Sequence, residues 1–436
     1  MRFGTDGVRG RANTELTPAF ALNLGRAAAQ VLGADLAVVG GDSRVSTPML
    51  EAAFVAGLAS EGVEVRRLGV APTPMVAFEA SRHGAMGAVV SASHNAYHDN
   101  GIKLFAVGGT KLGDDVEARV EAALAVLDGP SGEPAPIHGR TDPTAYIDHV
   151  VGALGGRELA GLRVVVDVAN GAASHVAADV FQRTGAQVVV INAHPNGTNI
   201  NAGCGATDPS ALQAVVTAER AHVGIALDGD ADRLIAIDER GDIVDGDHIM
   251  AICANDMHRR GVLRDDTVVV TVMTNLGFRL AMEAAGIHVV ETAVGDRYVL
   301  EALGVGGYSL GGEQSGHVIF TEHATTGDGM LTAVTLLDIV QRSGRPLSVL
   351  ATESMTQLPQ VLVNVPVTER RPDVAEVMAD EIAAAAAPLG ATGRILVRPS
   401  GTEPLVRVMV EAPTEELARS TADALAATVR ATLGSG

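Results

Sequence analysis

Three stretches of this chain follow one plan. LAVVGGDSRVSTPMLEAAFVAGLASEGVEVRRL (36–68), RVVVDVANGAASHVAADVFQRTGAQVVVI (163–191) and TVVVTVMTNLGFRLAMEAAGIHVVET (267–292) each run from an apolar strand through a polar loop into an Ala-rich helix. Each then passes through Gly to a second strand. A short apolar run, a helical period and a second short run are the signature of a βαβ unit, whose strands lie parallel and are buried on both faces. Three such units at wide spacing predict three related α/β domains, because a solenoid would set its repeats end to end. The length of 436 residues agrees, since one core rarely grows beyond about 250–300 residues.

The C-terminal part reads differently: QLPQVLVNVPVTE, then DVAEVMADEIAAAAAPLG, then GRILVRPSGTEPLVRVMVEAP and a long helical stretch. Strand, helix, strand, strand, helix is an α+β pattern, with helices on one face of an antiparallel sheet. The Pro- and Gly-rich stretch LDGPSGEPAPIHGRTDP (127–143) reads as a linker. The expected fold class is α/β, with three related α/β domains of mixed, mostly parallel sheets over 1–140, 141–245 and 246–358. A smaller α+β domain is expected over 359–436.

Composition narrows the chemistry. A formal net charge of −20 disfavours nucleic acid, whose phosphates select basic surfaces, so any anionic ligand must be held by local clusters. No Trp and 3% aromatic residues leave little material for stacking platforms. No apolar run approaches the length of a membrane span. The start, MRFGTDGVRGRAN, lacks the apolar core of a secretory signal, and two cysteines, Cys204 and Cys253, are too few for a disulfide framework. A cytoplasmic location is the expectation.

Four loops carry candidate chemistry. In DGDADR (228–233) carboxylates alternate with Gly and Ala between two apolar runs, so Asp228, Asp230 and Asp232 can converge oxygens on one hard cation. Mg²⁺ fits best, because no thiolate or clear imidazole ligand stands nearby. An EF-hand needs a longer loop closed by Glu, which is absent here. In RPSGTEPLVR (398–407), Ser400, Gly401 and Thr402 offer hydroxyls and backbone N–H groups between Arg398 and Arg407, a device for a dianionic phosphate. The order of residues is not that of a Walker loop. GGEQSGH (311–317) offers Glu313 and Ser315 to hydroxyl or amino groups of a sugar.

The fourth, VVSASHNAYHDNGIKLF (89–105), sets Ser93 beside His94. Adjacent side chains need not face each other, and no GxSxG elbow surrounds them, so a hydrolase triad is disfavoured. Lys103 closes the stretch, and the whole chain holds only one other lysine, Lys111. Arginine keeps its proton in a protein, whereas a lysine whose surroundings lower its pKa can exchange one; Lys103 is therefore the expected general acid or base.

SASHN, DGDADR, GGEQSGH and RPSGTEP, in this order and at these spacings, resemble the four active-site loops of the α-D-phosphohexomutases over essentially the whole chain. FGTDGVRG, GEQSGH and VGDRYVLE are similar to the branch that acts on glucosamine phosphates. The resemblance implies four domains around a central cleft and interconversion of glucosamine 6-phosphate and glucosamine 1-phosphate, feeding UDP-N-acetylglucosamine and peptidoglycan precursors. It implies a phosphoserine at Ser93 that completes the shell of one Mg²⁺ held by Asp228, Asp230 and Asp232, and a sugar bisphosphate as primer. Glu313 and Ser315 would read the sugar, and Arg398, Ser400, Gly401, Thr402 and Arg407 would grip the phosphate that is not reacting. Arg9, His94, Lys103 and Arg233 would line the reaction centre. A homodimer is compatible with it; a membrane partner is not implied. Other readings of the same loops are a phosphomannomutase or phosphoglucomutase, a Mg²⁺-dependent sugar phosphatase, and a non-catalytic sugar-phosphate sensor. The chain departs from the family pattern at Ala96, where SHN is usually followed by Pro, and at Ala293, where many relatives have lysine.

Overall fold

The computed structural model describes residues 2–4, 6–130, 132–369, 371–400 and 404–433. They form four sheets, in two compact units: Met1–Met273 with Gly286–Ser354, and Thr274–Ala285 with Met355–Gly436.

In the first unit, strands β1 (Val8–Arg11), β2 (Leu36–Gly41), β3 (Glu64–Val70), β4 (Met86–Val90), β5 (Asp99–Phe105) and β6 (Ile137–Arg140) form a sheet of order β1-β5-β4-β2-β3-β6. β4, β2, β3 and β6 are parallel neighbours, while β5 pairs antiparallel with both β4 and β1. The stretch read as a linker therefore contributes β6: Val65 N–H bonds the Pro136 carbonyl, and the free edge of β3 captures the passing chain. Helix Pro18–Leu32 is capped by Thr17, whose Oγ1 accepts from Phe20 N, and ends at Gly33 in the left-handed region. It packs on helix Thr47–Ser60 at backbone distance. A Cβ at Gly25 would sit 2.3 Å from the Phe54 carbonyl and one at Gly57 2.1 Å from that of Leu22, so only glycine fits either crossing. Leu24, Leu50, Phe54 and Leu58 fill the space between these helices and the sheet and are fully buried.

Strands β7 (Arg163–Asp167), β8 (Gln187–Ile191), β9 (Val223–Leu227), β10 (Leu234–Ile237) and β11 (Ile243–Val244) form the second sheet, of order β11-β10-β9-β7-β8. β12 (Thr267–Thr271), β13 (His288–Thr292), β14 (Leu310–Gly312) and β15 (Val318–Phe320) form the third, of order β13-β12-β14-β15. The three sheets share a device. A strand belonging to the parallel part (β4, β9, β14) is followed directly by an antiparallel one (β5, β10, β15). The connecting loops are those that hold Ser93, the three aspartates, and Glu313 with Ser315.

In the second unit, β16 (Gln360–Pro366), β17 (Arg394–Pro399) and β18 (Leu405–Glu411) form an antiparallel sheet of order β16-β18-β17, covered by helix Glu415–Leu433, whose Ala418, Ala422, Leu425 and Val429 face the sheet. Helix Leu276–Ala284, between β12 and β13 in sequence, groups with this unit. Buried Glu411 accepts from Leu276 N (3.0 Å) and pairs with Arg394 (3.0 Å). Among the described residues no helix is long and apolar enough to cross a membrane.

Candidate active site

Ser93 follows β4 with φ +50°, a left-handed conformation that costs a non-glycine residue of order 1 kcal/mol or more and persists only where the surroundings impose it. Arg44 imposes it. From a fully buried position its five N–H groups meet five acceptors: Asp42 Oδ2 (2.7 Å) and the carbonyls of Ser93 (2.8 Å), Asn95 (2.9 Å), Ala96 (2.6 Å) and Asp99 (3.1 Å). Asn201 Nδ2 also donates to the Ser93 carbonyl (2.9 Å), and Ser91 Oγ accepts from Ser93 N (2.9 Å). Ala96 thus sits in a loop whose carbonyls are pinned by a guanidinium. Neither Arg44 nor Asn201 stands out in the sequence; the signal available for Arg44 was its place in GGDSR, just past a strand end.

The second loop meets the first. Ser93 Oγ donates to Asp228 Oδ2 at 2.6 Å. The turn at 228–233 is held by Ala231 at φ +59°, by Thr73, whose N–H bonds the Asp230 carbonyl (2.9 Å) and whose Oγ1 bonds Asp230 Oδ2 (2.6 Å), and by Gly329 N–H on the Ala231 carbonyl (3.0 Å). Asp228, Asp230 and Asp232 are buried, and each offers one carboxylate oxygen within 4.8 Å of the others. Oδ1 of Asp230 and Oδ1 of Asp232 are buried without any hydrogen-bond partner. Two orphaned anionic oxygens beside a third carboxylate and a serine oxygen fit a hard divalent cation. Asp228 feels the same crowding: burial first, then the charges of Asp232 and Asp230, push its pKa well above the ordinary carboxylate value.

Lys103, on β5 and 2% exposed, touches three carboxylates: Asp230 Oδ2 at 2.7 Å, Asp232 Oδ2 at 3.1 Å and Asp6 Oδ2 at 2.8 Å. Burial pulls its pKa down, but Asp230, Asp232 and Asp6 outweigh that and hold it well above the ordinary lysine value. The expectation that its surroundings lower the pKa is therefore corrected: the ammonium is locked in its charged form by three anions. Asp6 was missed in the sequence: FGTDGVRG stands out by its resemblance, but a lone Asp in it gives no sign of what it touches. It also pairs with Arg9 and with Lys111 (2.7 Å), and Lys111 in turn pairs with Asp296.

His94 Nδ1 lies 3.3 Å from Ser93 Oγ. Burial, then the charges of Arg233 and Arg9, push its pKa down to about 4, so its imidazole is neutral near pH 7. Burial works against the charge of Arg233, but Asp232, Asp228 and Glu313 hold its pKa above the ordinary guanidinium value. Arg9 Nε and Arg233 Nε are buried without a hydrogen-bond partner.

The third loop is braced on the second. Leu234 N–H bonds the Gly316 carbonyl (2.9 Å), Gly246 N–H bonds that of Gln314 (3.1 Å), and a Cβ on Gly316 would strike the Leu234 carbonyl at 2.1 Å. Glu313 Oε1 accepts from Gly295 N (3.1 Å), and Ser315 Oγ is buried without a partner. Ser93, His94, Lys103, Arg9, Arg233, the three aspartates, Glu313 and Ser315 all lie in the first unit.

Within the second unit, Arg398 on β17 stands directly opposite Arg407 on β18. Like charges opposite each other weaken a ladder unless an anion lies between them. Burial first, then the charge of Arg407, pull the Arg398 pKa down. Arg407 Nε is buried without a partner, and Ser400, 1% exposed, donates its N–H to the Leu405 carbonyl (2.8 Å). Gly401 and Thr402 lie outside the described residues.

Models of the phosphoglucomutase/phosphomannomutase family match in four consecutive pieces: α/β/α domain I over residues 1–128, domain II over 144–241, domain III over 245–358 and the C-terminal domain over 362–428. The chain belongs to this family. Among curated relatives, the phosphoglucosamine mutase of Frankia alni is 54% identical, covering 99% of this chain and 98% of that protein. The enzyme of the same name from Rhodococcus opacus is also 54% identical, over 98% of each. Among solved structures, a phosphoglucomutase/phosphomannomutase family protein from Burkholderia thailandensis superposes with a TM-score of 0.83 at 25% identity, over 98% of this chain and 97% of that one. As a phosphohexomutase the chain is an isomerase.

Proposed function

We propose that this phosphohexomutase interconverts glucosamine 6-phosphate and glucosamine 1-phosphate through a phosphoserine at Ser93. The observation that carries the reading is the 2.6 Å contact of Ser93 Oγ with Asp228 Oδ2, beside the orphaned oxygens of Asp230 and Asp232. The names of full-length relatives above half identity support the choice of sugar.

Asp228, Asp230, Asp232 and the Ser93 phosphate would hold one Mg²⁺, which when bound neutralises charge on the transferring group. In the first half-reaction the P–O bond to Ser93 Oγ breaks as one to a sugar hydroxyl oxygen forms. The proton leaving the sugar hydroxyl is balanced by one gained at Ser93 Oγ, whose hydroxyl then donates to Asp228. The bisphosphorylated sugar turns over, and its other phosphate returns to the serine. Lys103, held protonated by its carboxylates, acts as a fixed positive charge rather than as a general acid or base; Arg9 and Arg233 add charge, and neutral His94 offers an acceptor beside Oγ. Glu313 would pair with the sugar's ammonium and Ser315 with a hydroxyl. Arg398, Ser400, Gly401, Thr402 and Arg407 would bind the resting phosphate, the opposed arginines supporting that part. A sugar bisphosphate would prime the serine. Domain boundaries at 140, 245 and 358 belong to the same proposal, as does a reducing, cytoplasmic setting, supported by two buried free thiols, Cys204 and Cys253.

The test is turnover of glucosamine, glucose and mannose phosphates by the wild type and Ser93→Ala, with intact mass before and after phosphatase treatment. A single phosphate on the wild type, absent from Ser93→Ala, with glucosamine phosphate preferred, is the expected result. Wild-type turnover by Ser93→Ala would sink the phosphoserine role, and equal turnover of glucose phosphate would sink the choice of sugar.

A further inference from the structure

This chain has 32 basic residues, and only two of them are lysines. Both meet on one carboxylate. Lys103 Nζ lies 2.8 Å from Asp6 Oδ2 and Lys111 Nζ 2.7 Å from Asp6 Oδ1. The turn that follows β5 brings them together. Gly108 (φ +92°) and Gly109 (φ +76°) reverse the chain, Ala106 N–H bonds the Thr110 carbonyl (2.7 Å), and Lys111 bridges back onto Phe105, two residues along the strand from Lys103. Asp6 arrives from the other side on the segment leading into β1, where a Cβ on Gly7 would meet the Ile102 carbonyl at 2.4 Å. Lys111 is tied at its far side to Asp296, the first residue of helix Asp296–Gly306.

The division of oxygens gives this arm its meaning. Lys103 takes Oδ2 of Asp230 and Oδ2 of Asp232, and in both residues Oδ1 is the buried oxygen left without a hydrogen bond, that of Asp232 having only Arg233 Nε at 3.8 Å. A carboxylate whose one oxygen is held by an ammonium has its other oxygen aimed. The third contact of the ammonium, Asp6, is the one that is not a proposed metal ligand. Without it, the compact ammonium on its flexible stem would keep only the two carboxylates it is meant to orient, and would settle between them where the cation belongs.

We propose that Asp6, clamped by Lys111, is a positioning residue: it fixes the Lys103 ammonium on the outer oxygens of Asp230 and Asp232 and so presents their inner oxygens to Mg²⁺. This rests on the metal reading given above. Groups that orient ligand side chains typically govern metal affinity by about 10–100-fold.

The experiment measures Mg²⁺ binding to chelator-stripped protein by calorimetry, alongside kcat and KM for glucosamine phosphate and the thermal midpoint. Variants are Asp6→Asn, Lys111→Met, Lys111→Arg and the double variant Asp6→Asn/Lys111→Met. Asp6→Asn should weaken Mg²⁺ binding about tenfold and lower kcat by at least as much, with KM moving less than about threefold. Lys111→Met should act in the same direction but more weakly, Lys111→Arg should recover part of that loss, and the double variant should bind Mg²⁺ no worse than Asp6→Asn, because the two residues act through one contact. Mg²⁺ affinity of folded Asp6→Asn within about twofold of wild type, or additive losses in the double variant, overturns the inference. Should Asp6→Asn fail to fold, Lys111→Met decides: affinity equal to wild type overturns it. A wild type that binds no Mg²⁺ overturns the metal reading itself and the inference with it.

Discussion

Arg44 donates through Nη2 to the Ser93 carbonyl at 2.8 Å, from a side chain with no exposure at all. The residue proposed to carry phosphate is thus held by its backbone, which leaves Oγ free to face Asp228.

Arg44→Lys should disorder this loop although it keeps the charge. A lysine has three donors and no planar fork, so at least two of the five acceptors lose the bond from residue 44, and the planar pairing with Asp42 is lost. We expect kcat to fall by at least about tenfold and stability by about 1–3 kcal/mol, the cost of leaving buried acceptors unsatisfied. Urea unfolding and steady-state turnover check both.

Gly229→Ala should separate the serine loop from the aspartate loop. An added Cβ would stand 2.5 Å from the Ser93 carbonyl and 2.8 Å from Asn201 Nδ2, both fixed by other bonds. Overpacking of this kind costs about 1–3 kcal/mol, and the displacement should lower kcat by at least about tenfold with little change in KM. Unchanged kcat in a folded variant would show that the loops need not touch.

Stability and function should oppose each other at Asp228. Its raised pKa reports an anion held against burial and against Asp232 and Asp230, so Asp228→Asn should raise the metal-free thermal midpoint. The same change removes a proposed ligand, so Mg²⁺ should stabilise the wild type by mass action and the variant far less. Differential scanning calorimetry with chelator and with excess Mg²⁺ gives all four midpoints.

Asp328 should make stability fall with rising pH. It caps helix Gly329–Ser343 through the N–H groups of Met330 and Leu331 (3.0 Å each), and Tyr146 OH donates to its Oδ2 (2.8 Å). Burial nonetheless pushes its pKa up to about 6. A carboxyl with a raised folded-state pKa adds stability that is complete below the ordinary value near 4 and is lost as pH rises through about 6. Asp328→Asn keeps a capping side chain and does not titrate. Between about pH 5 and pH 8, in chelator, the wild type should lose of order 1 kcal/mol relative to the variant by urea unfolding. A constant difference across that range would refute it.

Much of this was legible without coordinates. Short apolar runs alternating with helical periods specify β2, β7 and β12 and their crossovers, because burial of both strand faces leaves only the βαβ arrangement. The four chemical loops are legible because converging carboxylates, or hydroxyls flanked by arginines, are rare sequences with few uses. Ala96 and Ala293 are legible as departures, and the first proves to lie where Arg44 holds the backbone.

Patterning along the chain therefore settles local matters: which segments are strands and helices, and which loops bear charge and hydroxyls. Tertiary structure alone decided which of those groups meet. Lys103 stands more than a hundred residues from Asp230 and Asp232, and whether its pKa is lowered by burial or raised by neighbours depends on how many anions the fold brings within 3 Å or so. Nothing in the sequence tells what Asp6 and Arg44 touch, because their roles lie in distances, not in spacing. A passing strand, β6, was hidden among Pro and Gly for the same reason: it forms because the edge of β3 offers it hydrogen bonds, and an edge exists only in the folded sheet.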